Sequence, residues 1–245
     1  LSLEALQLAM TQWPIKVVIS VPSFSNPLGS CIPQQKRRQI VELLNAHDAY
    51  LIEDDIYSEL AFSQRHRPAA VKTYDTEGRV LLCSSLSKTV DPQLRIGWIM
   101  PGRFYSEILH QKYISTLTLP ALPQLVAAEV MARGHYDRHL RHCRDLYAGR
   151  VSELVDLVVE HFPAETRVSR PQGGLGLWVE LPKHIDATHL YYRAREHGIA
   201  FAPGELFAMD NRYQHCLRLI FSQAWTEERR QAVAQLGAWA RETAQ

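Results

Sequence analysis

The chain has 245 residues, 46% hydrophobic and 22% charged, with 27 Lys plus Arg against 26 Asp plus Glu. That composition allows one large domain or two modest ones with a real core, and it excludes a disordered chain. A net charge of +1 gives no electrostatic case for this segment binding nucleic acid or a membrane surface.

In chain order, Ser2 followed by apolar positions at helical spacing predicts a capped helix over 2–12. The β-branched run Lys16-Val-Val-Ile-Ser-Val21, ended by Pro22, predicts a buried strand. A helix over 33–48 starts at Pro33 and places Ile40, Leu43 and Leu44 on one face. Short strands are expected over 50–54, 80–84 and 95–100. Apolar strands alternating with helices imply an α/β unit, a mostly parallel sheet covered by helices on both sides. In such sheets ligands bind beyond the carboxyl ends of the strands, which directs attention to residues 23–26, 54–57 and 84–88.

After about residue 103 the pattern changes. Helices are expected over 104–115 and 123–160, the second broken near Gly134. Strands then follow over 167–170, 174–181, 200–202 and 216–221, with helices over 186–197 and 226–242. This is a small α+β domain joined to the sheet by long helices.

Cys31, Cys83, Cys143 and Cys216 are widely spaced and form no CxxC pair, so reduced thiols of a cytoplasmic protein are expected. No apolar stretch reaches the roughly 20 residues of a membrane span, and no signal peptide is recognisable. The first residue is Leu1 rather than Met, and a fragment of something longer is expected.

Several residues at the strand ends carry chemistry. Lys88 lies in Ser84-Ser-Leu-Ser-Lys-Thr89, just past an apolar strand and seven residues before Arg95. A desolvated amine is nucleophilic and can form an imine, while serine hydroxyls and a guanidinium can hold a phosphate. An ordinary surface lysine after a strand is the alternative. Asp54 ends the strand 50–54, beside Glu53, Asp55 and Tyr57. A buried carboxylate can keep a pyridine nitrogen protonated, but the acidic cluster equally suits a divalent metal or a helix N-cap. Asn26-Pro-Leu-Gly29 says only "turn" by itself, yet Asn26 offers an amide. Arg218, inside the apolar strand Cys216-Leu-Arg-Leu-Ile-Phe221, suits either a bidentate carboxylate site or a structural ion pair.

Taken together, Ser23-Phe-Ser-Asn-Pro-Leu-Gly29, Ile52-Glu-Asp-Asp-Ile-Tyr57, Ser85-Leu-Ser-Lys88 with Arg95-Ile-Gly97, Gly173-Gly174 before Trp178, and Arg218-Leu-Ile-Phe-Ser222 resemble the fold-type I aminotransferases, in order and over nearly the whole chain. The resemblance implies pyridoxal 5'-phosphate held as a Schiff base on Lys88. It places the pyridine nitrogen on Asp54 and the ring oxygen on Asn26 and Tyr57. It also places the phosphate on Ser85 and Arg95, and a substrate or effector carboxylate on Arg218. In a transaminating member Lys88 would also shuttle the proton between substrate and cofactor carbons. Residues 1–115 would be the C-terminal part of the large cofactor-binding domain, and 116–245 the connecting helices and small domain. A homodimer with its site near the interface is implied.

Leu122-Pro-Gln-Leu-Val126, Gly134-His-Tyr-Asp-Arg-His-Leu-Arg-His-Cys-Arg144 and Ala202-Pro-Gly-Glu-Leu-Phe207 are similar to the MocR-type branch of GntR transcription regulators, in which a winged-helix DNA-binding domain precedes an aminotransferase-like domain. His135, His139 and His142 have helical spacing, but no acidic or thiol partner is arranged with them, so a solvated basic helix is expected there. The phosphate-cradling loop and ring-stacking aromatic of the family would lie upstream of Leu1, and the winged helix further upstream still, so the C-terminal part of a longer regulator is expected, with an incomplete sheet and an exposed edge. The resemblance implies a sensor whose cofactor, or its adduct with an amine or amino acid, shifts DNA binding through that separate domain. The other reading is a working aminotransferase acting on amino acids. A dinucleotide-binding fold is excluded, because no GxGxxG follows the first strand and Gly173-Gly-Leu-Gly176 lies elsewhere.

Overall fold

A computed structural model describes residues 1–63 and 67–243, which form two compact units. The first comprises Leu1–Ser25 and Ser30–His142, the second Asn26–Gly29 and Cys143–Gln245. The two units meet in the chain between His142 and Cys143.

In the first unit, β1 (Val17–Ser20), β2 (Tyr50–Asp54), β3 (Val80–Ser85) and β4 (Gly97–Met100) form one sheet in the order β1-β2-β3-β4. β1, β2 and β3 run parallel, and β4 returns antiparallel to β3. Helix α1 (Leu3–Gln12) is capped by the Ser2 hydroxyl, which accepts from the Ala5 N–H. α2 (Gln34–Ala46) follows Pro33. The apolar stripes of α1 and α2, including Leu6, Met10, Ile40, Val41 and Leu44, cluster with Leu51 and Val80 of the sheet. Helices α3 (Tyr105–Thr116) and α4 (Ala121–Ala132) follow, and Gly134, at φ +67°, separates α4 from the 27-residue α5 (His135–His161).

The expectation of a buried first strand does not hold. β1 is an edge strand, and alternation sends only Val18 to the core while Val17 and Ile19 are 50% and 74% exposed. The fourth strand also begins at Gly97 rather than Arg95, because Arg95 sits in the left-handed region (φ +53°, ψ 38°) and cannot extend it.

In the second unit, β5 (Arg167–Val168), β6 (Gly176–Glu180), β7 (Ala202–Pro203) and β8 (Cys216–Ile220) form an antiparallel sheet in the order β5-β6-β8-β7. Helix α6 (Ala187–Glu196), capped by Asp186, packs against α7 (Glu227–Thr243), where the His197 and Trp239 rings meet at 4.8 Å. Leu154, Val158 and Phe162 of the α5 segment, Leu177, Val179 and Leu217 of the sheet, and Leu236 of α7 are all buried. All four cysteines are free thiols. Among the described residues no helix is long and apolar enough to cross a membrane.

Candidate functional site

Two groups of the expected residues can be followed, one in each unit. In the first unit β2 and β3 are parallel neighbours with Asp54 opposite Cys83, so Asp54 and Ser85 finish their strands at the same edge of the sheet. Lys88 follows Ser85 in a turn closed by the Thr89 and Val90 N–H groups, which both donate to the Leu86 carbonyl at 3.2 and 2.8 Å. Leu86 is buried and its N–H donates to the Ile96 carbonyl at 3.0 Å. The turn thus pins Leu86 inside and leaves the Lys88 side chain outside. Its amine makes no hydrogen bond or ion pair among the described residues. Lys88 is therefore exposed here, not desolvated.

The hairpin returns through Arg95 to Gly97, which pairs with Ser85. A Cβ at Gly97 would stand 3.1 Å from the Ser84 carbonyl oxygen, a tight contact that favours glycine where the two strands approach. Ser85, Lys88 and Arg95 are thus carried on one hairpin. The Ser85 hydroxyl accepts from the Ser87 N–H at 3.3 Å, and Arg95 Nη1 donates to the Pro92 carbonyl at 3.2 Å, which leaves most of the guanidinium open.

The three neighbouring carboxylates have separate roles. Asp54 is half-buried rather than buried; one of its oxygens accepts from the Ile56 N–H at 3.1 Å and the other has no donor among the described residues. Glu53, on the opposite face of the strand, is fully buried and accepts from the Val71 and Lys72 N–H groups at 2.7 and 2.8 Å. Asp55 accepts from the Ser23 and Ser58 hydroxyls at 3.3 and 2.7 Å. Burial pushes the carboxyls of both Glu53 and Asp55 above their ordinary values, against the pull of these donors. Tyr57 is half-buried at the start of a short 3-10 turn, Ser58–Leu60.

One residue escaped the sequence reading. Arg37 of α2 is 0% exposed. Its Nε donates to the Ile32 carbonyl at 2.9 Å, and Nη2 to the Pro22 carbonyl at 2.8 Å and the Ser23 hydroxyl at 3.1 Å. It thereby clamps the two ends of the loop whose tip is Asn26–Gly29. Phe24, within that loop, is held at φ +53°, a strained setting for an aromatic residue. A signal was present: Arg37 precedes Ile40, Val41 and Leu44 at spacings of three, four and seven, on the buried stripe of the helix.

In the second unit Arg218 lies at the centre of β8, opposite Trp178 of β6 and Ala202 of β7. Its Nη1 donates to Asn26 Oδ1 at 2.5 Å, and the guanidinium stands 5.2 Å from the Phe207 ring centroid. Trp178 contacts Phe207 and Tyr213 edge-on, at 5.8 and 5.3 Å. Among the described residues the charge of this arginine meets an amide oxygen and an aromatic face rather than a carboxylate. Nε is buried with no acceptor among the described residues, so a ligand carboxylate would meet the terminal nitrogens of the half-buried guanidinium.

The donor set suits pyridoxal 5'-phosphate. The first unit supplies an accessible amine, a half-open carboxylate, and a hydroxyl and guanidinium for a phosphate. Within the second unit, Asn26 and Arg218 form an amide–guanidinium pair. Comparison with known proteins agrees. The family model "Aminotransferase class I and II" matches residues 1–236. The chain is 40% identical over 238 residues to the uncharacterized HTH-type transcriptional regulator YjiR of Escherichia coli (strain K12), covering 97% of this chain and 50% of that protein. It superposes on a Pyrococcus horikoshii kynurenine aminotransferase with a TM-score of 0.92 at 27% identity, covering all of this chain and 62% of the other. The α-aminoadipate aminotransferase LysN of Thermus thermophilus matches with a TM-score of 0.91 at 27% identity, over 99% of this chain and 63% of the other. The chain thus spans about half the length of the regulators and about three fifths of these enzymes.

Proposed function

Since this chain belongs to the aminotransferase class I and II family, we propose that it is the aminotransferase-like, effector-binding part of a MocR-type regulator of the GntR family, holding pyridoxal 5'-phosphate as a Schiff base on Lys88. The observation that carries this reading is the placement of Asp54, Ser85, Lys88 and Arg95 at the carboxyl ends of two neighbouring parallel strands. The similarity to HTH-type regulators supports the regulatory half of it.

When bound, the cofactor supplies an electrophilic carbon and an electron-withdrawing ring. The free oxygen of Asp54 would accept the pyridine N–H and keep that nitrogen protonated. Asn26 and Tyr57 donate to the ring oxygen. Ser85 and Arg95 hold the phosphate. Arg218 binds the carboxylate of an amino-acid effector through its unpaired N–H groups. Lys88 would be the group placed to hold or move a proton at the effector's α-carbon.

Residues 1–115 are read as the C-terminal part of the large cofactor-binding domain and 116–245 as connecting helices and small domain. The protein is read as cytoplasmic and as a homodimer, a state supported by the exposed apolar residues of α3 and α4, among them Tyr113, Ile114, Leu122 and Leu125. DNA is contacted only through a separate winged-helix domain.

A second reading, a working aminotransferase, is supported by the similarity to solved aminotransferases such as those of Pyrococcus horikoshii and Thermus thermophilus. The two separate on adding amino acids to the cofactor-loaded full-length protein and following keto-acid release together with operator-DNA affinity. A sensor changes its DNA affinity without catalytic release of keto acid. Sustained release with unchanged DNA affinity contradicts the regulator reading.

A further inference from the structure

We propose that Tyr136 and His139 are positioning residues for Lys88, acting through Thr89. The proposal rests on the reading of Lys88 as the cofactor lysine. The turn that carries Lys88 is closed by bonds to Leu86, and such local bonds shape a turn without fixing where it stands on the protein. Its position is set by what its two buried members, Leu86 and Thr89, touch. Leu86 is tied to Ile96.

Thr89, immediately after Lys88, is 5% exposed, and α5 meets both of its remaining polar groups. The Tyr136 hydroxyl donates to Thr89 Oγ1 at 3.3 Å. His139 Nε2 lies 2.8 Å from the Thr89 carbonyl oxygen. A carbonyl only accepts, so His139 carries its proton on Nε2 in this contact. The peptide unit next to the lysine is therefore held from outside the turn by two side chains on one face of a helix, three residues apart.

Gly134 makes this possible. Its φ of +67° ends α4 and lets α5 start in a new direction, bringing Tyr136 and His139 onto Thr89. The segment Gly134-His-Tyr-Asp-Arg-His thus has a local task beyond that of a solvated basic helix. The helix is solvated here as expected, with His139 exposed, and His139 also makes a contact to a backbone carbonyl.

Neither side chain fills the core, since Tyr136 is half-buried and His139 exposed. Their removal should disturb the lysine's placement more than the fold. A reacting group has to be held to within about 0.5 Å of its working position, which a turn anchored at one end does poorly.

The test uses the full-length protein and the variants Tyr136→Phe, His139→Ala, the double variant, and His139→Gln, whose amide can donate to the same carbonyl. Pyridoxal phosphate affinity is read from the visible absorbance of the bound cofactor at one fixed pH, and the thermal midpoint is measured without cofactor. Each single variant is expected to raise Kd about threefold and the double variant about tenfold. Cofactor-free midpoints should stay within about 2 °C of the parent. His139→Gln should recover most of the loss. A double variant that binds cofactor like the parent, a loss that tracks the midpoint, or no recovery in His139→Gln overturns the proposal. A parent with no band overturns the reading of Lys88 and this proposal with it, whereas an unaffected double variant beside a parent with a band overturns this proposal alone.

Discussion

Arg218 Nη1 donates to Asn26 Oδ1 across 2.5 Å, joining two residues 192 positions apart in the chain. Arginine has no acceptor, so the Asn26 amide must turn its oxygen toward Arg218 and its NH2 away. The pairing orients the group that would donate to the cofactor's ring oxygen, and it leaves the other terminal nitrogen of Arg218 without an acceptor among the described residues.

Replacing Arg218 by lysine is therefore expected to weaken binding of an amino-acid ligand by roughly ten- to a hundredfold, the value of a lost charge-assisted pair. Binding of the corresponding amine without a carboxylate should change little. Titrating both ligands against the cofactor-loaded parent and variant checks this, and an equal loss for the two would contradict the carboxylate role.

Arg37→Met is expected to destabilise the protein by about 3 kcal/mol or more, because it removes a buried cation that satisfies several buried acceptors. It would also strip the loop holding Phe24 in its strained conformation of both clamps. Gln39→Ala, exposed on the same helix, should stay within about 0.5 kcal/mol. Urea unfolding of the two variants measures the contrast.

Glu53 yields a pH dependence with a definite sign. Burial raises its carboxyl above the ordinary 4.5, so the folded chain binds that proton more tightly than the unfolded chain. The stability this group contributes is full below the ordinary value and is lost as pH rises through the raised one. Glu53→Gln cannot titrate, and it gives up one of the two acceptors used by Val71 and Lys72. The parent's advantage over the variant is expected to be largest in acid and to narrow toward neutral pH. Urea unfolding of both proteins across that range checks it, and an advantage that widens with pH would contradict the assignment.

Local signals made much of the fold legible. The Ser2 cap, Pro33 and the β-branched runs mark α1, α2, β2 and β3 to within a residue or two, and Gly134 marks the break between α4 and α5. What failed depended on neighbours distant in sequence. The apolar pattern of β1 does not show that it is an edge strand, and the spacing of Arg95 does not reveal its left-handed backbone. Lys88, Asp54 and Ser85 could be picked out because strand ends in a parallel sheet are where ligands bind. The Asn26 partner of Arg218 could not, since nothing local to either residue points to the other. Arg37 could have been found, as a cation repeating with Ile40, Val41 and Leu44 is seldom idle.

The central claim concerns one amine. The full-length protein is mixed with pyridoxal 5'-phosphate, treated with borohydride and digested, beside Lys88→Ala. A visible absorbance band in the parent, a reduced cofactor covalently attached at Lys88, and loss of both in the variant are the predicted result. A parent with no band, or a cofactor trapped on a lysine other than Lys88, would contradict the account.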